Sequence, residues 1–140
     1  MRDVERLIEA FEGCTLPRGE WTHAAHLGVA LWYVTRHGPE AALGILRGRI
    51  RAYNEAMGTA NTDTTGYHET LTRLYLRAIA AHAARHAGGS FTEVLALLLA
   101  SPLGARDWPL RFYSRERLYS TAARHGWLEP DEGMFPPAEA

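Results

Sequence analysis

Two short stretches carry the residue types best suited to chemistry: Trp21-Thr22-His23-Ala24-Ala25-His26 and Tyr67-His68-Glu69-Thr70. His23 and His26 are three apart, so on a helix they take neighbouring positions of one face. That face continues through Leu27, Ala30 and Leu31 and points inward, where an imidazole needs a partner. His68 and Glu69 open another helix directly after a polar loop. A helix start offers unpaired N–H groups and a partial positive charge to an anion or a polarised oxygen. Two or three imidazoles and a carboxylate suit a divalent transition metal (zinc, iron or manganese). In that reading His23, His26 and His68 are the ligands, and Glu69 is a further ligand or general base. Without a metal, the same region offers Trp21, His23, Tyr53, Asn54, Asn61, Tyr67 and His68 as the walls of a pocket for a small polar ligand. In the metal-dependent reading Arg111 or Arg117 would anchor a small polar or anionic substrate.

Plainer roles fit the same residues. His23 and His26 could bond to backbone, and Glu69 could complement the helix dipole while Thr64 or Thr65 caps. Arg111, Arg115 and Arg117 could pair with Glu116 and the acidic tail. His37, His86 and His125 each precede a glycine near a helix end, where free carbonyls favour a histidine. His82 and His86 share a helix face, but His82 lies roughly 21 Å along the helix from His68, too far for a common site.

Other chemistries drop out. All fifteen basic residues are arginine, so no lysine can form a Schiff base or serve a phosphate loop. There is no Gly-x-Ser-x-Gly. Cys14 has no electropositive neighbour in sequence and reads as a packing residue. Glu20-Trp21-Thr22-His23 is a single Glu-x-x-His, whereas a di-iron bundle needs that motif twice with two more glutamates.

The elements that must position these residues are helical. Val4, Leu7, Ile8 and Phe11 predict a helix over Asp3–Glu12. A second runs from Trp21 or Thr22 to Arg36, ending at His37-Gly38. Pro39 suits the first turn of a third, which reaches Met57 and stops at Gly58. Residues 58–66 form a polar loop. A fourth helix covers His68–Ala87. Ser90-Phe91-Thr92-Glu93 is a capping box that opens a fifth, very apolar helix to Ala100. A loop with Pro102, Gly104 and Pro109 leads to a sixth helix from Ser114 to His125. No strand alternation persists. The expected fold is all-α, one domain over 1–131 built as a bundle of about six helices, with an irregular, proline-containing tail over 132–140.

A net charge of −1 without a basic stripe disfavours nucleic acid. No apolar run approaches the roughly 18 residues of a membrane helix, and the start does not read as a signal peptide. One cysteine precludes an internal disulfide, which fits a reducing cytoplasm.

The chain also resembles a family of small, uncharacterised bacterial helical proteins. The likeness is carried by Phe11, Thr15-Leu16-Pro17, Trp21-Thr22-His23, His26-Leu27, Tyr53-Asn54, Asn61-Thr62, Gly66-Tyr67-His68-Glu69-Thr70, Phe112-Tyr113-Ser114 and Gly126-Trp127-Leu128-Glu129-Pro130-Asp131. It spans about positions 7–131. The resemblance implies that these polar residues form one unit, and it implies no activity.

Three functional readings follow. The first is a metal-dependent enzyme, with hydrolase and oxidoreductase chemistry equally open. The second is a metal-free small-molecule-binding module using the same pocket. The third is an interaction domain in which Leu95, Leu97, Leu98 and Leu99 of the fifth helix serve a homodimer interface.

Overall fold

The structure is a computed structural model and describes residues 2–133, for Arg2 the backbone alone. Six α-helices and three short 3₁₀ turns make up the described chain, which contains no strand. The helices are α1 (Arg2–Glu12), α2 (His23–Ala56), α3 (Glu69–Arg85), α4 (Phe91–Ala100), α5 (Arg115–Leu118) and α6 (Thr121–His125). No helix among the described residues is long and apolar enough to cross a membrane.

The expected boundary at Gly38-Pro39 is the hinge of the fold. α2 is broken at Gly38, whose φ of 82° lies in the left-handed region that glycine enters without strain. Pro39 then sits in the first turn of the second segment, where its missing N–H is no loss. An unbroken helix would separate residues 21 and 53 by about 48 Å. Instead the rings of Trp21 and Tyr53 lie 5.5 Å apart, so the two segments run back along each other. α3 packs along this hairpin, with α1 and α4 against α2, and α6 against α3.

Local signals set most helix ends. Ser90 accepts from the Glu93 N–H at 3.2 Å and Glu93 reaches back to the Ser90 N–H at 3.3 Å, closing the expected box. Ser114 caps at the expected place, accepting from the Arg117 N–H. The expected single sixth helix is corrected to two. Ser120 accepts from the Ala123 N–H and restarts the chain as α6 after only four residues of α5. Of the expected tail over 132–140, residues 134–140 lie outside the described residues.

The main core gathers Phe11, Val29, Leu31, Ala42, Ile79 and Leu98, all fully buried, from four helices. A smaller cluster of Leu74, Trp108, Tyr113 and Leu118 lies beneath the C-terminal segment. α4 keeps Leu98 inside and leaves Leu97 and Leu99 at 49% and 37% exposure.

Candidate ligand cavity

Between the two segments of α2, α3 and the 106–119 segment lies a cavity of about 600 Å3. Its depth is apolar: Leu27, Ala30, Leu46, Leu76 and Ile79 line it, and all five are buried. Polar groups enter from His23, His26, Asn54, Thr72, Tyr75 and Arg106. His23, His26 and His68 all line this one cavity, together with Trp21, Asn54 and Tyr67.

The three histidines are not equivalent. His26 Nδ1 donates to the Thr22 carbonyl at 2.7 Å, one turn back on its own helix, which leaves Nε2 as an unprotonated acceptor. Its ring lies 3.8 Å from that of Trp21. The ring meets solvent along the cavity yet is packed round by protein atoms, so its charged form is poorly solvated. Burial pushes the imidazole down to about 4, and the nearby His23 and Arg106 act in the same direction against the bond to Thr22. His26 is therefore neutral at pH 7. His23 Nε2 donates to the Leu103 carbonyl at 2.9 Å, leaving its Nδ1 as the lone-pair nitrogen.

His68 is saturated. As the N-cap of α3 it accepts the Leu71 N–H at Nδ1 (3.1 Å), and its Nε2 donates to the Leu118 carbonyl at 2.7 Å. Burial holds it below its ordinary value. With both nitrogens engaged, His68 has no lone pair for a metal, which corrects its expected role as a ligand. Among the described residues no group of three or more His, Cys, Asp or Glu side chains is placed to hold a metal ion. Of the three expected ligands, His23 and His26 each keep one ring nitrogen without a hydrogen bond beside the cavity.

Glu69, expected as a ligand or general base, turns away from the histidines. It does not line this cavity. Arg47 grips both its oxygens, Nε at 3.0 Å and Nη2 at 2.6 Å, and the Tyr67 hydroxyl donates at 2.8 Å. Burial raises this carboxyl, but the Arg47 and Tyr67 hydrogen bonds and the Arg47 and Arg73 charges outweigh it, so its pKa is lowered overall. A base held below its usual range and already neutralised is a poor proton acceptor. Thr70, the next residue, donates to the Gly126 carbonyl at 2.6 Å and accepts from the Leu128 N–H. The 67–70 stretch therefore clamps the C-terminal segment onto α3.

Four further residues expected to touch a ligand do not line this cavity. Tyr53 is buried, with its hydroxyl spent on the Leu16 carbonyl at 2.8 Å. Arg117 donates to the Glu129 carbonyl at 2.6 Å, holding the 129–131 segment, whose Asp131 accepts from Ser114. Arg111 is exposed and lies outside this cavity. Asn61 lies outside the main cavity and latches the loop, accepting from Asn54 Nδ2 and from the Tyr67 N–H. Gly66 is required beside it. Its φ is +82°, and a Cβ there would meet Asn61 Oδ1 at 2.6 Å and the Ala60 carbonyl at 2.7 Å.

The arginine that does reach the cavity is Arg106, which carries no motif and sits in a loop. It makes no hydrogen bond or ion pair with a described residue. Tyr75, another unforeseen wall, likewise has a hydroxyl with no partner among the described residues. Only its place on the inward stripe of α3, with Leu71 and Ile79, could have signalled it. Comparison with family models, curated proteins and solved structures finds no match.

Proposed function

We propose that this protein binds a small molecule with an apolar body and an anionic head, without a bound metal. The observation that carries the reading is the polarity of the cavity. Buried aliphatic side chains line its depth, and among the described residues no carboxylate lines it and its one charged lining group, Arg106, makes no hydrogen bond or ion pair. A volume of about 600 Å3 lies within the range of small-molecule sites. Burying the ligand's apolar body supplies most of the affinity. The neutral His26 and the free nitrogen of His23 accept hydrogen bonds, the Tyr75 hydroxyl can donate one, and Arg106 selects charge.

Calorimetric titration with octanoate, octanol and octylamine tests this. Octanoate should bind more tightly than octanol by about fivefold, the size of an exposed ion pair, and octylamine should bind weakest. Arg106→Ala should erase the preference for octanoate while keeping octanol binding. Failure of all three to bind, or tightest binding of the amine, would defeat the reading.

A further inference from the structure

A second, smaller cavity lies on the far side of Tyr67, which is the one residue the two cavities share. It measures about 170 Å3 and is lined by Arg47, Arg51, Arg124, His125, Glu69 and Thr62, among others. Three guanidiniums thus meet one carboxylate on its wall. That carboxylate is already committed, since Arg47 and Tyr67 satisfy Glu69, whose side chain is 8% exposed. Asp63, close by, is paired with His125 at 2.7 Å.

The other two guanidiniums pair with no carboxylate among the described residues. The Arg51 side chain makes no hydrogen bond or ion pair with a described residue. Arg124 Nη1 donates to the carbonyls of Gly66 at 2.9 Å and Tyr67 at 3.4 Å, both neutral acceptors. Its Nε is the only buried side-chain nitrogen or oxygen among the described residues without a hydrogen-bond partner. A partly buried cation with neutral acceptors and no counter-charge is unfavourable in isolation, and a bound anion relieves it. Guanidiniums also match the oxygens of phosphate in geometry as well as charge.

We infer that this second cavity is an oxyanion site, taking a phosphate-type group between Arg51, Arg124 and the outward N–H groups of Arg47. A cavity of 170 Å3 holds such a group with a few waters at about 30 Å3 each. It is too small for a drug-sized molecule, which needs roughly 300 Å3 or more. The site is independent of the larger cavity and of the ligand class proposed for it.

The test is calorimetric titration of the full chain with inorganic phosphate, ionic strength being held constant with chloride. Wild type should show saturable binding of one phosphate. Arg51→Ala should weaken it about tenfold, as loss of a charged hydrogen bond does, and should leave the melting temperature unchanged because the Arg51 side chain has no partner among the described residues. Arg124→Gln should also weaken binding, with its melting temperature read in parallel because it holds the 66–67 backbone. Glycerol phosphate distinguishes the source: tighter binding than inorganic phosphate assigns the site to a phosphorylated small molecule, and weaker binding assigns it to the free ion. Phosphate that binds no better than chloride, or an Arg51→Ala variant that binds phosphate like wild type, overturns the inference.

Discussion

His23 and His68 occupy almost the same place in their helices, one at the first position of α2 and one just before the first position of α3. Their fates differ because of a single preceding residue. Thr22 caps α2, accepting from the Ala25 N–H at 3.2 Å, so His23 keeps one ring nitrogen unspent beside the cavity. Before His68 stands Tyr67, which has no short polar side chain to cap with, and the imidazole caps α3 itself. The opposite nitrogen is then spent on Leu118. A histidine's availability for chemistry is thus decided by who else satisfies the helix start. The α2 start faces the larger cavity, and the α3 start ties the fold together.

That contrast predicts graded losses. The largest should come from Glu69→Ala, which strands the Arg47 guanidinium and the Tyr67 hydroxyl. A loss of about 2–4 kcal/mol in urea unfolding is expected. In wild type the lowered Glu69 pKa means its stabilisation is present above the ordinary carboxyl value of 4.5 and is lost as pH falls through the folded-state value. A shift below about 0.5 kcal/mol, within the usual range for surface substitutions, would remove Glu69 from the centre of the clamp.

Next comes His68→Ala, expected to destabilise by about 1–3 kcal/mol through the lost cap and the stranded Leu118 carbonyl. His68→Asn should recover part of this, because asparagine caps but cannot reach Leu118. Thermal melts with and without chelator should coincide for both variants and for wild type. A chelator effect in wild type that vanishes in His68→Ala would reverse the comparison and restore His68 as a ligand.

The smallest effect belongs to the α2 start. His26→Gln should shift stability at pH 7 by less than about 1 kcal/mol, since the ring keeps access to solvent. Its signature is in pH dependence. The folded-state value of about 4 lies below the unfolded value of 6.5, so the stabilisation of neutral His26 is complete above 6.5 and is lost as pH falls through about 4. His68 and His82, also lowered, contribute to the same limb. Stability curves of His26→Gln between pH 7 and 4 should be flatter than those of wild type. Unchanged curvature would place His26 in a more hydrated setting than the cavity wall.

Much of this architecture is written in short-range patterns. The Ser90–Glu93 box, the Gly38-Pro39 break and the Ser114 cap all join groups within about four residues, so residue type alone settles their geometry. The second start at Ser120 carried the same kind of signal, but the expected helix from Ser114 to His125 runs straight across it. Helical periodicity likewise marked Leu27, Ala30 and Leu31 as inward-facing, and hence the His23–His26 cluster as a neighbour of the core. What each inward polar group bonds to was not legible. The Leu118 carbonyl lies 50 residues beyond His68, the Leu103 carbonyl 80 beyond His23, and Arg47 meets Glu69 across 22. The choice of Arg106 over Arg111 and Arg117 as the cavity's cation depends on how one loop packs against α2 and α3. By itself the sequence determined the helices, their breaks and their buried faces, because these follow from interactions within a turn or two. Tertiary packing alone decided which nitrogen, carboxylate or guanidinium was left unpaired, because its partners come from distant segments that meet only once the helices have docked.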